Sequence, residues 1–200
     1  MRLGRLLFPI RELGPGNRLG IWVQGCKRNC PGCANPELQE MDERKEISID
    51  VLSIMIITAI KNNNLSGISI SGGEPFLQVK ELNLLLDKVK QVCDDILVFT
   101  GFKYEDLLKN KDPEIQELLY KISVLVDGEY IEDLNYGERL RGSSNQNIVF
   151  LDETKREKYE EYINSPNRYI DEFVSDDGVI VVGIHPKGFL EEIRRQDNCD

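Results

Sequence analysis

The chain has 200 residues, a formal net charge of −10 and 40% hydrophobic residues, enough for one folded core with no need of a second domain. The acidic balance excludes nonspecific nucleic-acid binding, which relies on a basic surface to neutralise phosphates. The longest apolar stretch, residues 51–60, is interrupted by Ser53 and Thr58 and falls far short of the roughly 20 residues that span a bilayer, so it predicts a buried helix and no membrane partner.

Residues 1–10 have a basic start and an apolar stretch. That stretch is short, broken by Pro9, and followed by Arg11 and Glu12 instead of a small-residue cleavage site. A cytoplasmic protein is expected, in a compartment where thiols stay reduced. Ile21-Trp-Val-Gln24 reads as a strand that delivers the chain into a cysteine-bearing loop. Residues 49–61 predict a helix packed on a sheet, stopped by Asn62-Asn-Asn-Leu-Ser-Gly67, and Ile68-Ser-Ile70 a strand running into Gly72 and Gly73.

Leu82, Leu85, Leu86, Val89, Val92 and Cys93 recur at helical spacing, which makes Cys93 a core thiol. Ile96-Leu-Val-Phe99 is a buried strand, residues 103–120 a helix broken near Asp112-Pro113, and Ile122-Ser-Val-Leu-Val126 and Asn147-Ile-Val-Phe-Leu151 two further strands. This alternation predicts parallel βαβ units with the site at the strands' carboxyl ends. Residues 152–164 predict a charged helix, and residues 173–184 two strands around an Asp-Gly turn. We see no internal repeat and no interdomain linker, so residues 1–200 read as a single domain, with a core over about 14–151 and a C-terminal α+β extension over about 152–200.

Cys26, Cys30 and Cys33 form a C-x3-C-x2-C run. Three thiolates on one short loop suit three irons of a 4Fe-4S cubane and leave the fourth iron open. Structural zinc wants four protein ligands. The remaining candidates, Cys93, Cys199 and the single histidine His185, form no second pair. Spacing alone favours the cluster and leaves zinc open. An odd cysteine count fits a disulfide framework poorly.

The segment Gly20-Ile-Trp-Val-Gln-Gly-Cys-Lys-Arg-Asn-Cys-Pro-Gly-Cys-Ala-Asn-Pro-Glu37 resembles the cluster loop of radical S-adenosylmethionine enzymes, in particular the activases of glycyl radical enzymes that act on anaerobic ribonucleotide reductase. Ser71-Gly-Gly-Glu-Pro75, Phe99-Thr-Gly-Phe102, Val124-Leu-Val-Asp-Gly-Glu-Tyr130 and Arg141-Gly-Ser-Ser-Asn-Gln146 follow in the family's order, so the likeness covers about residues 14–150. It implies an α/β fold of the incomplete β/α barrel type with its active site at the mouth. It also implies Cys26, Cys30 and Cys33 as ligands of a 4Fe-4S cluster, S-adenosylmethionine on the open iron, and reductive cleavage to a 5′-deoxyadenosyl radical. The implied partners are a glycyl radical enzyme as protein substrate and a reduced flavodoxin or ferredoxin-type electron donor. Two other readings stay open: a radical enzyme that modifies peptides or small molecules, and a noncatalytic iron-sulfur or zinc module.

Within that resemblance, Gly32 and Ala34 are backbone contacts near the adenine, against the plainer reading of Pro31-Gly32 as a turn. Gly72 and Gly73 lack side chains where the backbone would approach the cofactor's amino group, and Glu74 would help neutralise that ammonium; the alternative is a glycine bulge. Asp127 is open between a ribose or methionine contact, a partner-positioning role and a turn-initiating Asp-Gly. Ser143, Ser144 and Asn145 are open between ligand contacts and loop residues, and Arg18 between a carboxylate anchor and a surface arginine. Trp22 reads as core, and His185 is assigned no role. Cys26, Cys30, Cys33, Gly73 and Asp127 are expected to converge at one mouth.

Overall fold

The computed structural model describes residues 1–175 and 178–189. Six strands form one sheet in strictly sequential order: β1 (Leu3–Ile10), β2 (Arg18–Val23), β3 (Gly67–Gly72), β4 (Ile96–Phe99), β5 (Val124–Asp127) and β6 (Asn147–Phe150). β2 to β5 run parallel, whereas β1 pairs with β2 and β6 with β5 in the antiparallel sense.

Parallel neighbours need long crossovers, and the chain supplies helices for them. α1 (Ile49–Asn63) joins β2 to β3, α2 (Val79–Val89) joins β3 to β4, and α3 (Tyr104–Lys109) with α4 (Pro113–Lys121) joins β4 to β5. α1 ends where Asn64 takes a left-handed conformation, φ 50°. The break expected near Asp112-Pro113 is the start of α4: Asp112 caps it by accepting from the Glu114 amide, and Pro113 occupies the first turn.

Two strand assignments needed the tertiary structure. Residues 3–10, to which no strand was assigned from sequence, form edge strand β1. The expectation of parallel units throughout fails at β6: among the described residues the segment between β5 and β6 holds one turn of 3-10 helix (Glu132–Leu134) and no α-helix, so the chain returns antiparallel.

Side chains alternate across the sheet as the two-residue period requires. Leu19, Ile21, Val23, Ile96, Val98 and Leu125 enter the core with Leu52, Ile56, Leu82, Leu85 and Leu86 of the helices, and Cys93 is buried there too. The other face carries Trp22 against Val182, and Val124 and Val126 against Tyr159. That face is covered by α5 (Arg156–Asn164) and by a hairpin of β7 (Asp171–Ser175) and β8 (Gly178–Val182). The predicted helix and strand pair of the extension are thus present, while the Asp176-Asp177 part of the turn and Cys199 lie outside the described residues. Among the described residues no helix is long and apolar enough to cross a membrane.

Candidate metal centre and cofactor cavity

β2 ends at Val23, and the chain turns out of the sheet at Gly25, φ 101°. The cysteine loop is then closed at its base, because the Gly25 amide donates to the Leu38 carbonyl and the Cys26 amide to the Gln39 carbonyl, each at 2.8 Å. Inside the loop Asn29 and Gly32 take left-handed conformations, and the Cys33 amide closes a turn onto the Cys30 carbonyl at 3.2 Å. Asn29 tolerates that region and Gly32 enters it without a Cβ penalty.

Cys26, Cys30 and Cys33 are free and partly exposed, and all three line one cavity of about 500 Å³. Burial raises the Cys30 thiol pKa, as do the charge of Glu129 and the neighbouring Cys33 and Cys26; its Sγ lies 3.8 Å from Glu129 Oε1. Cys93 packs in the helix-side core instead. Among the described residues no three His, Cys, Asp or Glu side chains are grouped closely enough to hold a single metal ion. Three soft thiols thus share one loop and one cavity wall, and His185 lines the same cavity without joining them in a single-metal group; this fits a cubane with one open iron better than a four-ligand zinc centre.

β3 delivers the second motif beside this loop. The Gly73 amide donates to the Val23 carbonyl at 2.7 Å and the Glu74 amide to the Gly25 carbonyl at 2.8 Å. A Cβ on Gly72 would lie 2.3 Å from the Val23 nitrogen, and one on Gly73 2.2 Å from the Gly25 oxygen. The close approach that excludes side chains here is to the chain's own backbone. Gly73 also lines the cavity, whereas Gly72, at φ 110°, is packed behind it.

Glu74 is almost wholly buried, 2% exposed, and its carboxylate is occupied. It accepts from the Phe76 amide (3.0 Å), the Thr100 hydroxyl (2.7 Å) and the Gly101 amide (2.8 Å). Burial raises its pKa, and these three donors with Arg28 pull the other way. Arg28, from the cysteine loop, sits 3.6 Å from Glu74 and 4.4 Å over the Phe102 ring. Glu74 therefore ties the exits of β3 and β4 to the loop that carries the thiols. Arg28 is a site residue that the sequence reading missed; the signal was a guanidinium between two cysteines of the motif.

Asp127 departs from expectation. It is buried, accepts from the Tyr104 amide at 2.6 Å and from the Asn147 amide and side chain at 3.1 and 2.9 Å, and is not part of the cavity wall. Its neighbour Gly128 is, together with Gly32 and Ala34. Asp127 fixes β6 and α3 against β5. Ser143 and Asn145 are likewise spent on the loop, accepting from the Ile131 amide and donating to the Glu129 carbonyl, while Gln146 reaches the wall. Arg18 sits at the opposite end of β2, wholly buried, 3.1 Å from Asp95 and bonded to the Ser69 hydroxyl.

Part of the remaining wall is supplied by residues 181–189 of the extension, including His185, to which no role was assigned from sequence, and part by Trp22, Phe99, Tyr130 and others. Another cavity, of about 520 Å³, is lined by Arg11, Asn17, Arg139, Tyr162 and neighbours at the far ends of the strands, and holds none of the predicted site residues.

A family model described as a 4Fe-4S single cluster domain matches residues 13–149, spanning all three loop cysteines. The anaerobic ribonucleoside-triphosphate reductase-activating protein of Escherichia coli K12 is 33% identical over 147 residues, covering 69% of this chain and 91% of that protein. The protein of the same name from Vibrio cholerae is 34% identical over 151 residues, covering 70% and 93%. The pyruvate formate-lyase-activating enzyme of Staphylococcus aureus is 33% identical over 81 residues, covering 39% and 32%. The resemblance read from the cysteine loop is borne out: the chain belongs to the 4Fe-4S single cluster domain family, among the anaerobic ribonucleoside-triphosphate reductase-activating proteins.

Proposed function

We propose that this protein is a radical S-adenosylmethionine enzyme that installs a glycyl radical on a partner such as anaerobic ribonucleotide reductase. The observation that carries the reading is that three free cysteines of one loop share a cavity with Gly32, Ala34 and Gly73 at the carboxyl ends of parallel strands. Four parallel strands in sequential order with crossover helices favour the incomplete β/α barrel, within a single domain whose core covers about 14–151. A cytoplasmic location and a reduced flavodoxin or ferredoxin-type donor complete the proposal.

With cluster and cofactor bound, the cluster, reduced by the external donor, would pass one electron to S-adenosylmethionine, whose cleavage would give methionine and a 5′-deoxyadenosyl radical able to take a glycine hydrogen. Cys26, Cys30 and Cys33 would hold the irons as thiolates. Gly32, Ala34 and Gly73 present backbone to the cavity, where peptide groups can orient a polar ligand without a side chain in the way. Glu74 and Arg28 lock the cysteine loop to the strand exits, so the thiols are held in position before anything binds. The walls restrict water, and the open side leaves room for a docking protein to bring its hydrogen donor within attack distance.

The test is anaerobic reconstitution followed by iron and sulfide analysis, product assay and electron paramagnetic resonance. One 4Fe-4S cluster per chain, 5′-deoxyadenosine under reduction and a glycyl radical on a co-encoded partner are expected. Loaded, reduced protein that releases no 5′-deoxyadenosine would end the enzymatic reading. Cleavage without a glycyl radical on the partner would end only the activase assignment and favour another radical specificity.

A further inference from the structure

Among the described residues the cavity that holds the three cysteines has three cationic side chains in its wall, Arg5, Arg28 and Lys187. Two of them are already committed. Arg5 donates to Asn35 at 3.1 Å and pairs with Glu37, and Lys187 pairs with Asp133 at 3.0 Å and with Glu132 at 3.6 Å. The carboxylates of the wall are committed as well, Glu132 to Lys187 and Glu74 to its three hydrogen-bond donors.

Arg28 is placed differently. The polar contact of its side chain is the 3.6 Å pair of Nε with Glu74, too long for a hydrogen bond, and Nε is enclosed without a hydrogen-bond partner among the described residues. Neither terminal nitrogen donates to a described residue, and with the side chain 26% exposed both stay accessible at the cavity. Packing fixes the rest of the side chain. Its guanidinium carbon lies 4.4 Å over the Phe102 ring, and a Cβ on Gly101 would lie 2.3 Å from Nε, so the bare Gly101 is what leaves room for the guanidinium beside Glu74. A planar cation held by packing, with its terminal nitrogens unused, suits a carboxylate.

We propose that Arg28 is a cofactor-binding residue whose terminal nitrogens pair with the methionine carboxylate of S-adenosylmethionine. This rests on the cavity being the S-adenosylmethionine site. The cofactor's amino group and carboxylate share one carbon, so a molecule whose amino group meets the backbone at Gly73 brings its carboxylate to the neighbouring Arg28, and its adenine is left to Gly32 and Ala34. A carboxylate taken out of water needs a countercharge, and Arg28 is the uncommitted cation of the wall among the described residues.

The test uses the full chain loaded anaerobically with cluster and left unreduced, so that no cleavage occurs. Kd is measured by equilibrium dialysis for S-adenosylmethionine and, separately, for its decarboxylated form, which keeps the amine, the sulfonium and the nucleoside. Arg28→Gln is expected to weaken S-adenosylmethionine about thirtyfold, the equivalent of one charge-assisted hydrogen bond, with the decarboxylated form and the iron content unchanged. Arg28→Lys, which keeps the charge and loses the planar fork, is expected to weaken S-adenosylmethionine about threefold. Wild-type affinity in Arg28→Gln, or equal weakening of both ligands, overturns the proposal while leaving the cavity reading standing. If Arg28→Gln takes up no cluster, Arg28→Lys decides by the same comparison; iron lost in both variants makes Arg28 a residue of the thiol loop alone and also overturns the proposal. Wild-type protein that binds neither ligand overturns the cavity reading and this proposal together.

Discussion

Glu74→Gln separates two roles for the Gly-Gly-Glu motif, because the side chain is replaced without a change of shape. The carboxylate receives three hydrogen bonds from buried or half-buried donors. Glutamine keeps one oxygen, enough for the Phe76 amide and the Thr100 hydroxyl, but puts an amide NH2 where the second oxygen faces the Gly101 N–H. One charge-assisted bond, about 1.5–3 kcal/mol, is lost and a donor is left unpaired at a further 1–3 kcal/mol or so. The Arg28 pair is long, at 3.6 Å, and its guanidinium side is about one-quarter exposed, so it adds less than about 1 kcal/mol. Against this, an amide is easier to bury than a carboxylate whose pKa burial already raises. The net expectation is about 3 kcal/mol, or roughly 6–12 °C in Tm for a chain of this size, read by circular dichroism. Cluster uptake should fall as the cysteine loop loosens, and cofactor affinity should fall only in proportion. If Tm stays within about 2 °C while S-adenosylmethionine binding is lost, Glu74 is a direct ligand contact and the scaffold role assigned to it is wrong.

Serine at Cys26, Cys30 or Cys33 is expected to abolish stoichiometric iron, whereas Cys93→Ser should keep it and lose only stability, since Cys93 packs in the core; iron analysis after anaerobic reconstitution decides, and iron lost with Cys93 alone would reassign the ligands. Asp95→Asn should destabilise the protein by about 3–5 kcal/mol at pH 7 by leaving the buried Arg18 charge uncompensated. Burial alone would raise the Asp95 pKa, but the charge and hydrogen bond of Arg18, with Lys158 and Tyr159, hold it below the ordinary value. A depressed carboxylate stabilises above its unfolded pKa of about 4 and loses that contribution as pH falls through the folded value. The gap between wild type and Asp95→Asn in urea denaturation should therefore begin to narrow below about pH 4 and keep narrowing as pH falls through the folded value; a gap unchanged at pH 3 would refute the pairing.

The sequence by itself determined the parallel core and the thiol loop. Apolar runs of strand length alternating with helical periodicity admit few arrangements, and three cysteines within eight residues share one loop whatever the fold does. Capping chemistry also travels in the sequence, so the Asp112-Pro113 break was readable. Only the tertiary structure decided what depends on which chain segment lies beside which. Residues 3–10 became a strand because β2 offers them an edge, and β6 ran antiparallel because no α-helix separates it from β5. Gly72 and Gly73 are needed against Val23 and Gly25, about 50 residues earlier, and Glu74 and Asp127 are held by donors from other loops. His185 reached the cavity only because the β7–β8 hairpin packs on the open face of the sheet. Local periodicity reports which face of an element is apolar; which partner fills that face, and which loop then meets the thiols, is fixed by packing between residues far apart in the chain.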